Sequence, residues 1–198
     1  MSDATERPAA IRTFLAVPVP PAVAGRLKDL QIRLRSVLPG TWWSRPEQQH
    51  LTIRFYGNVP VEELQHLQSA IQQACEQAPP LRLCADKVGT FADRIIWVGI
   101  SGEVEELREL ENRIATTTRG IGDCREVRDF HPHLTIGRIK RRPPGQESIA
   151  DRIRNWSNSR FGEWTVDHLE LIQSDLSPQG ARYTCLASIP LAGKAVGD

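Results

Sequence analysis

The stretch that decides the reading is His50-Leu51-Thr52-Ile53, because the same four residues return as His133-Leu134-Thr135-Ile136. Both copies sit in runs that alternate apolar with polar residues, the pattern of a half-buried strand. Side chains two apart on a strand share a face, roughly 6–7 Å apart along it. His50 and Thr52 therefore share one face, as do His133 and Thr135, while Leu51, Ile53, Leu134 and Ile136 point into a core. If the two strands lie side by side, two imidazoles and two hydroxyls face one cleft. Such a set suits a phosphate diester. One imidazole takes a proton from water, the other gives one to the departing sugar oxygen, and the hydroxyls hold the non-bridging oxygens. An ordinary imidazole pKa near ~6.5 permits either role, and each proton transfer is typically worth roughly 10²–10⁴-fold in rate. No metal is needed when the leaving oxygen is protonated as it departs.

Working outward, residues 11–17 read as a strand stopped by Pro18, Pro20 and Pro21. Val23, Leu27, Leu30, Leu34 and Val37 then recur at helical spacing, and Pro39-Gly40 ends that helix. Residues 42–57 are extended, with a break near Pro46. Pro60 opens a second helix whose stripe is Leu64, Leu67, Ile71, Ala74 and Cys75. Residues 81–88 and 95–100 read as strands about a turn, and residues 103–119 as a helix buried through Val104, Leu107, Leu110 and Ile114. Residues 133–140 form a strand, residues 149–156 a short helix, and residues 164–174 and 181–189 two closing strands. This mixture predicts an α+β fold with helices on largely antiparallel sheets. Residues 10–192 read as one domain, with 1–9 and 193–198 as short tails.

The bulk properties narrow the function. With 25 Lys and Arg against 24 Asp and Glu, the net charge is +1, which argues against a long non-specific clamp on duplex nucleic acid. A small anionic substrate or one RNA end remains open. Cys75, Cys84, Cys124 and Cys185 form no C-x-x-C pair, so neither a paired-cysteine zinc site nor a dense disulfide framework is expected. No apolar run reaches membrane-spanning length. A soluble chain in a reducing cytoplasm is the simple expectation, with a monomer as default and no protein partner indicated.

Beyond the paired motifs, the chain resembles the two-histidine (2H) phosphoesterases, and among them the RNA 2′,3′-cyclic phosphodiesterases once called 2′–5′ RNA ligases. Their signature is two H-x-[TS]-x motifs. RTFLAVPVP (12–20), HLTIRFYGNV (50–59), TFADRIIWVGI (90–100), FHPHLTIGRIK (130–140) and LELIQSDLSPQGARYTCL (169–186) carry the similarity, which extends over nearly all of residues 11–191. The resemblance implies two pseudo-symmetric lobes, each an antiparallel sheet with flanking helices, and a cleft between them. It implies hydrolysis of an RNA terminal 2′,3′-cyclic phosphate to a 2′-phosphomonoester without metal or cofactor. His50 would be the proton donor to the leaving 3′ oxygen and His133 the proton acceptor from water. Thr52, Thr135 and Arg138 would bind phosphate. The donor and acceptor roles come from the resemblance alone, since the two half-sites look nearly equivalent in sequence.

Strict alternation puts Arg138 on the wrong face, five residues after His133, so it needs a bulge, which Gly137 would permit, a strand end or a long reach to join the cleft. Arg54 falls on the His50 face, where it would touch phosphate or stand as a solvated strand residue. His131 and Asp129 lie close to His133, but no third and fourth metal ligands are evident. His66 and His168 read as structural or solvent-facing. Lys140, Arg141 and Arg142 form a basic loop that would contact the RNA backbone or remain solvated. Trp42, Trp43 and Phe91 would stack a terminal base or pack in the core. The same pair of histidines would also serve a 2′–5′ oligonucleotide, an ADP-ribose cyclic phosphate or 2′–5′ RNA ligation. A non-catalytic RNA-end binding module is the alternative from another class.

Overall fold

The structure is a computed structural model that describes residues 9–123, 129–139, 147–178 and 180–193. Most of the expected tails, Cys124 and the expected basic loop of Lys140, Arg141 and Arg142 lie outside the described residues. The first expected strand is β1 (Ala10–Pro18), after which Pro20 and Pro21 lead the chain into α1 (Pro21–Val37). Proline suits that first turn because its missing N–H would find no intrahelical partner there. α1 buries Val23, Leu27, Leu30 and Leu34 of the stripe its spacing predicts, leaves Val37 only partly buried, and buries with them Gln31, a polar side chain only 3% exposed.

Pro46 breaks the next extended run as expected. A 3-10 turn (Pro46–Gln48) separates β2 (Thr41–Trp43) from β3 (His50–Pro60). The chain continues through α2 (Leu64–Cys75), β4 (Leu81–Phe91), β5 (Ile95–Gly102), α3 (Val104–Thr117), β6 (His133–Ile139) and the short α4 (Ile149–Arg152). One expectation is corrected here. The single strand read over residues 164–174 is two, β7 (Arg160–Val166) and β8 (His168–Ser177), parted at Asp167. β7 pairs with β4 whereas β8 pairs with β1, so the chain changes partners at that residue. Burial of apolar residues continues on both sides of the break, which is why hydropathy alone does not mark it. β9 (Gly180–Pro190) completes a hairpin with β8.

Among the described residues the strands form one antiparallel sheet in the order β7-β4-β5-β6-β3-β1-β8-β9, with β2 added against β6. The halves β7-β4-β5-β6 and β9-β8-β1-β3 are related by a pseudo-twofold exchange, as two pseudo-symmetric lobes require. They meet at one residue pair, Leu51 opposite Leu134, the second residue of each HLTI copy. The helices cover one face, where Leu51, Ile53, Leu134 and Ile136 are buried together as expected. α1 follows β1 yet packs on β7 and β6, so each half is tied to the other through the core as well as through the sheet. The opposite face carries a small cluster of Phe14, Ala16 and Ile172 under Tyr183, and there the cleft opens. Cys75 and Cys84 are buried and Cys185 is exposed, all three as free thiols. Among the described residues no helix is long and apolar enough to cross a membrane.

Leu51→Ala and Leu134→Ala are each expected to cost about 2–5 kcal/mol in urea unfolding, because both remove a fully buried side chain. Since the two face each other, the double variant should depart from additivity by about 0.5–3 kcal/mol. Strictly additive losses would show that this pair does not couple the halves.

Candidate active site

Two bulges decide which side chains reach the cleft. On β3, Thr52 lies opposite Ala16 and Arg54 opposite Leu15, so Ile53 is passed over. On β6, Thr135 lies opposite Trp97 and Gly137 opposite Ile96, so Ile136 is passed over. Directly opposed residues share a face, so each bulge resets the alternation by one residue. Arg138 thereby joins His133 and Thr135 in the cleft. The Gly137 that the sequence marks for a bulge sits under Trp43, where a Cβ would lie 2.9 Å from the ring.

The bulge at Ile53 has the opposite consequence for Arg54. It turns Arg54 to the core side with Leu15, where its guanidinium meets Glu111 of α3 at 3.2 Å. The expected place of Arg54 beside His50 is therefore corrected, and Phe55 takes that place in the cleft. Of the aromatics considered, Trp42 and Phe91 line the cleft while Trp43 packs on the core.

The two histidines are held in the same way. His50 Nδ1 lies 2.9 Å from the Gln48 carbonyl, and His133 Nδ1 lies 2.6 Å from the His131 carbonyl. A carbonyl only accepts, so Nδ1 is the donor in each ring and Nε2 is left for chemistry. Phe14 stacks on His50 with centroids 4.6 Å apart, and the Tyr183 ring meets the same imidazole edge-on. Phe91 meets His133 edge-on at 5.0 Å. Burial holds His50 down to about 4 against an ordinary 6.5, with the Gln48 carbonyl opposing and His133 adding to the fall. Burial also lowers His133, opposed by its bond to the His131 carbonyl and assisted by the charges of His131 and Arg138. At neutral pH both rings are therefore neutral.

The cleft has a volume of about 800 Å³ and contains His50, Thr52, His133, Thr135 and Arg138 together. It also contains residues that the sequence reading did not single out, notably Arg12, Phe14, Phe55 and Tyr183. Burial raises the Tyr183 phenol, while the nearby guanidiniums of Arg138 and Arg12 pull it back. Two fixed cations, two hydroxyls and two imidazoles form a surface matched to an anion carrying non-bridging oxygens. Asp129 and His131 line the mouth, but among the described residues no three His, Cys, Asp or Glu side chains are grouped to hold a metal ion. The anchoring carbonyls share one signal in the sequence, a place two residues before each motif histidine. Phe14 and Tyr183 have none, since β1 comes beside β3, and β9 joins them across β8, only in the folded sheet.

A family model described as the 2′-5′ RNA ligase superfamily matches residues 50–178, the segment that carries both motifs. The chain is 33% identical over 177 residues to an RNA 2′,3′-cyclic phosphodiesterase of Archaeoglobus fulgidus, spanning 87% of this chain and 96% of that one. A second RNA 2′,3′-cyclic phosphodiesterase, from Methanothermobacter thermautotrophicus, is 27% identical over 88% of this chain and 95% of its own length. A crystal structure of a Thermus thermophilus protein superposes with a TM-score of 0.74 at 26% identity, covering 93% of this chain and 100% of that one. Escherichia coli LigT complexed with NADP+ shares the fold at a TM-score of 0.70 and 22% identity, over 92% of this chain and 99% of that one. Fold and paired motifs together are those of the two-histidine phosphoesterases. The chain belongs to the 2′-5′ RNA ligase superfamily.

Titration by NMR should find both rings as Nδ1–H tautomers, with His50 protonating near pH 4 and His133 below 6.5. The unfolded chain binds those protons near the ordinary 6.5, so it holds more protons than the folded chain in this window. Stability should therefore fall as pH drops from 6.5 toward 4. A His50 midpoint at or above 6.5 would contradict the buried, neutral ring.

Proposed function

We propose that the chain hydrolyses RNA terminal 2′,3′-cyclic phosphates to 2′-phosphomonoesters by metal-independent acid–base catalysis. The observation that carries the reading is the pair of Nδ1-anchored imidazoles facing one cleft, each with a threonine hydroxyl two residues on. The 2′,3′-cyclic phosphodiesterase names of the relatives support the same substrate class. His133 Nε2 takes a proton from water, whose oxygen attacks phosphorus. The bond from phosphorus to the 3′ oxygen breaks, and that oxygen receives a proton from His50 Nε2. Thr52 and Thr135 hydroxyls hold the non-bridging oxygens, and Arg138 balances the charge that grows on them. A ring whose pKa burial holds near 4 is an acid only once the diester is bound, because the phosphate charge raises it. Both motifs and every proposed group line one cleft, which supports residues 10–192 working as one bilobed unit, and we take that unit to be a monomer. We place that unit in the cytoplasm, acting on RNA 3′ ends or cyclic nucleotides without a protein partner.

The test is hydrolysis of a 2′,3′-cyclic mononucleotide in EDTA, resolving 2′- from 3′-phosphate products. Wild type should yield the 2′-phosphate, and His50→Ala and His133→Ala should each lose at least about 10²-fold in kcat. A strict requirement for added divalent metal would overturn the mechanism. Binding of the cyclic end without turnover would leave an RNA-end binder or another diester as substrate.

The pH dependence follows from burial. The productive free enzyme carries one proton on the histidine pair, and both rings lie below 6.5. That form is lost as pH rises through the window, so kcat/KM should peak on the acid side of 6.5 and decline beyond it. kcat reports the bound state, where phosphate raises both rings, and should decline at higher pH. A kcat/KM that climbs between about pH 5 and 8, with chemistry rate-limiting, would sink the two-histidine scheme.

A further inference from the structure

β3 and β6 separate where Leu51 meets Leu134, the one residue pair between them. Past that point the inner edge of β6 is left without β3, and β2 takes it up through Trp43 opposite Gly137 and Trp42 opposite Arg138. Between these two regions lies Ile136, the residue that the bulge passes over on the β5 side. Its carbonyl meets three donors. The Ser44 backbone N–H is 3.1 Å away, the Ser44 hydroxyl 3.2 Å and the Gln31 side-chain Nε2 2.9 Å. Gln31 also donates to the Ser44 carbonyl at 2.9 Å, so helix α1, the end of β2 and the bulge are joined in one network.

Gln31 is 3% exposed and Ser44 5%. A buried amide on the same helix as Leu27, Leu30 and Leu34 is an unfavourable choice unless its hydrogen bonds are needed, since an apolar residue would pack there without desolvation loss. The bonds converge on the one residue that sets the phase of β6. We propose that Gln31 and Ser44 are positioning residues for Arg138. They hold the Ile136 carbonyl, and through it the bulge that turns the guanidinium into the cleft. Without those two side chains that carbonyl keeps only the Ser44 backbone N–H, and β6 can return to regular alternation, which exchanges the faces of Gly137 and Arg138. The inference rests on the reading that Arg138 binds the substrate phosphate.

The experiment is a double-mutant cycle read by inorganic phosphate binding, using isothermal titration calorimetry on wild type, Gln31→Met, Arg138→Ala and the double variant. Methionine keeps the unbranched length of glutamine and removes the donors. Gln31→Met and Arg138→Ala should each weaken phosphate binding about five- to tenfold, and the double variant should bind no more weakly than Arg138→Ala alone. Ser44→Ala should show a smaller loss that likewise vanishes in the Arg138→Ala background, and it keeps the test open if Gln31→Met does not fold. A general packing defect predicts multiplying losses instead, and those would overturn the proposal. So would wild-type phosphate affinity in Gln31→Met and Ser44→Ala, or in Arg138→Ala. Turnover of a 2′,3′-cyclic nucleotide is followed in the same proteins. Absence of turnover in wild type with the binding cycle intact would remove the hydrolysis reading and support the positioning role.

Discussion

Leu51 and Leu134 press together at the centre of the sheet, and the geometry of the cleft follows from that contact. Both side chains are buried in the core beneath the helices. Strand alternation then obliges the residues on either side of each leucine to face the other way. His50 and Thr52 rise on one side of the junction, and His133 and Thr135 on the other. Because β3 and β6 share so little of a ladder, they diverge at once and leave space between the imidazoles. A longer ladder would have closed the sheet and filled the cleft with main chain.

Within that space, burial and anchoring act together on each ring. Aromatic neighbours exclude water from His50 and make its charged form unfavourable, while the Gln48 carbonyl fixes which nitrogen is presented. His133 repeats the arrangement with Phe91 and the His131 carbonyl. The cleft therefore sets two imidazoles that are neutral at neutral pH beside two guanidiniums. In the proposed reaction, an entering phosphate diester would add negative charge beside the rings and make their protonation more favourable.

The pseudo-twofold symmetry is broken at the bulged positions. The residue after the bulge and its neighbour read Arg54-Phe55 on β3 and Gly137-Arg138 on β6. One half thus sends an aromatic ring into the cleft and the other a cation, while Arg12 of β1 supplies the second cation. A 2′,3′-cyclic phosphate is itself asymmetric, with a ribose and base on one side of phosphorus and open oxygens on the other. The unequal halves suit such a ligand better than a symmetric pair would.

Much of this was legible in the linear chain. The duplicated tetrapeptide marked both strands that line the cleft, helical spacing marked the buried faces of α1, α2 and α3, and Gly137 offered a bulge as one of the ways by which Arg138 could join the cleft. Those features are local, since alternation and helical periodicity depend only on neighbours along the chain. The bulge at Ile53 was not legible, because no glycine announces it and its phase is set by the register of β3 against β1. Arg54 was misplaced for that reason. The break at Asp167 and the arrival of Phe14 and Tyr183 beside His50 depend likewise on which strands pair. The sequence by itself determined which side chains are offered for chemistry and which face of each strand they begin on. Only the tertiary structure decided where alternation is reset, because a bulge answers to the neighbouring strand.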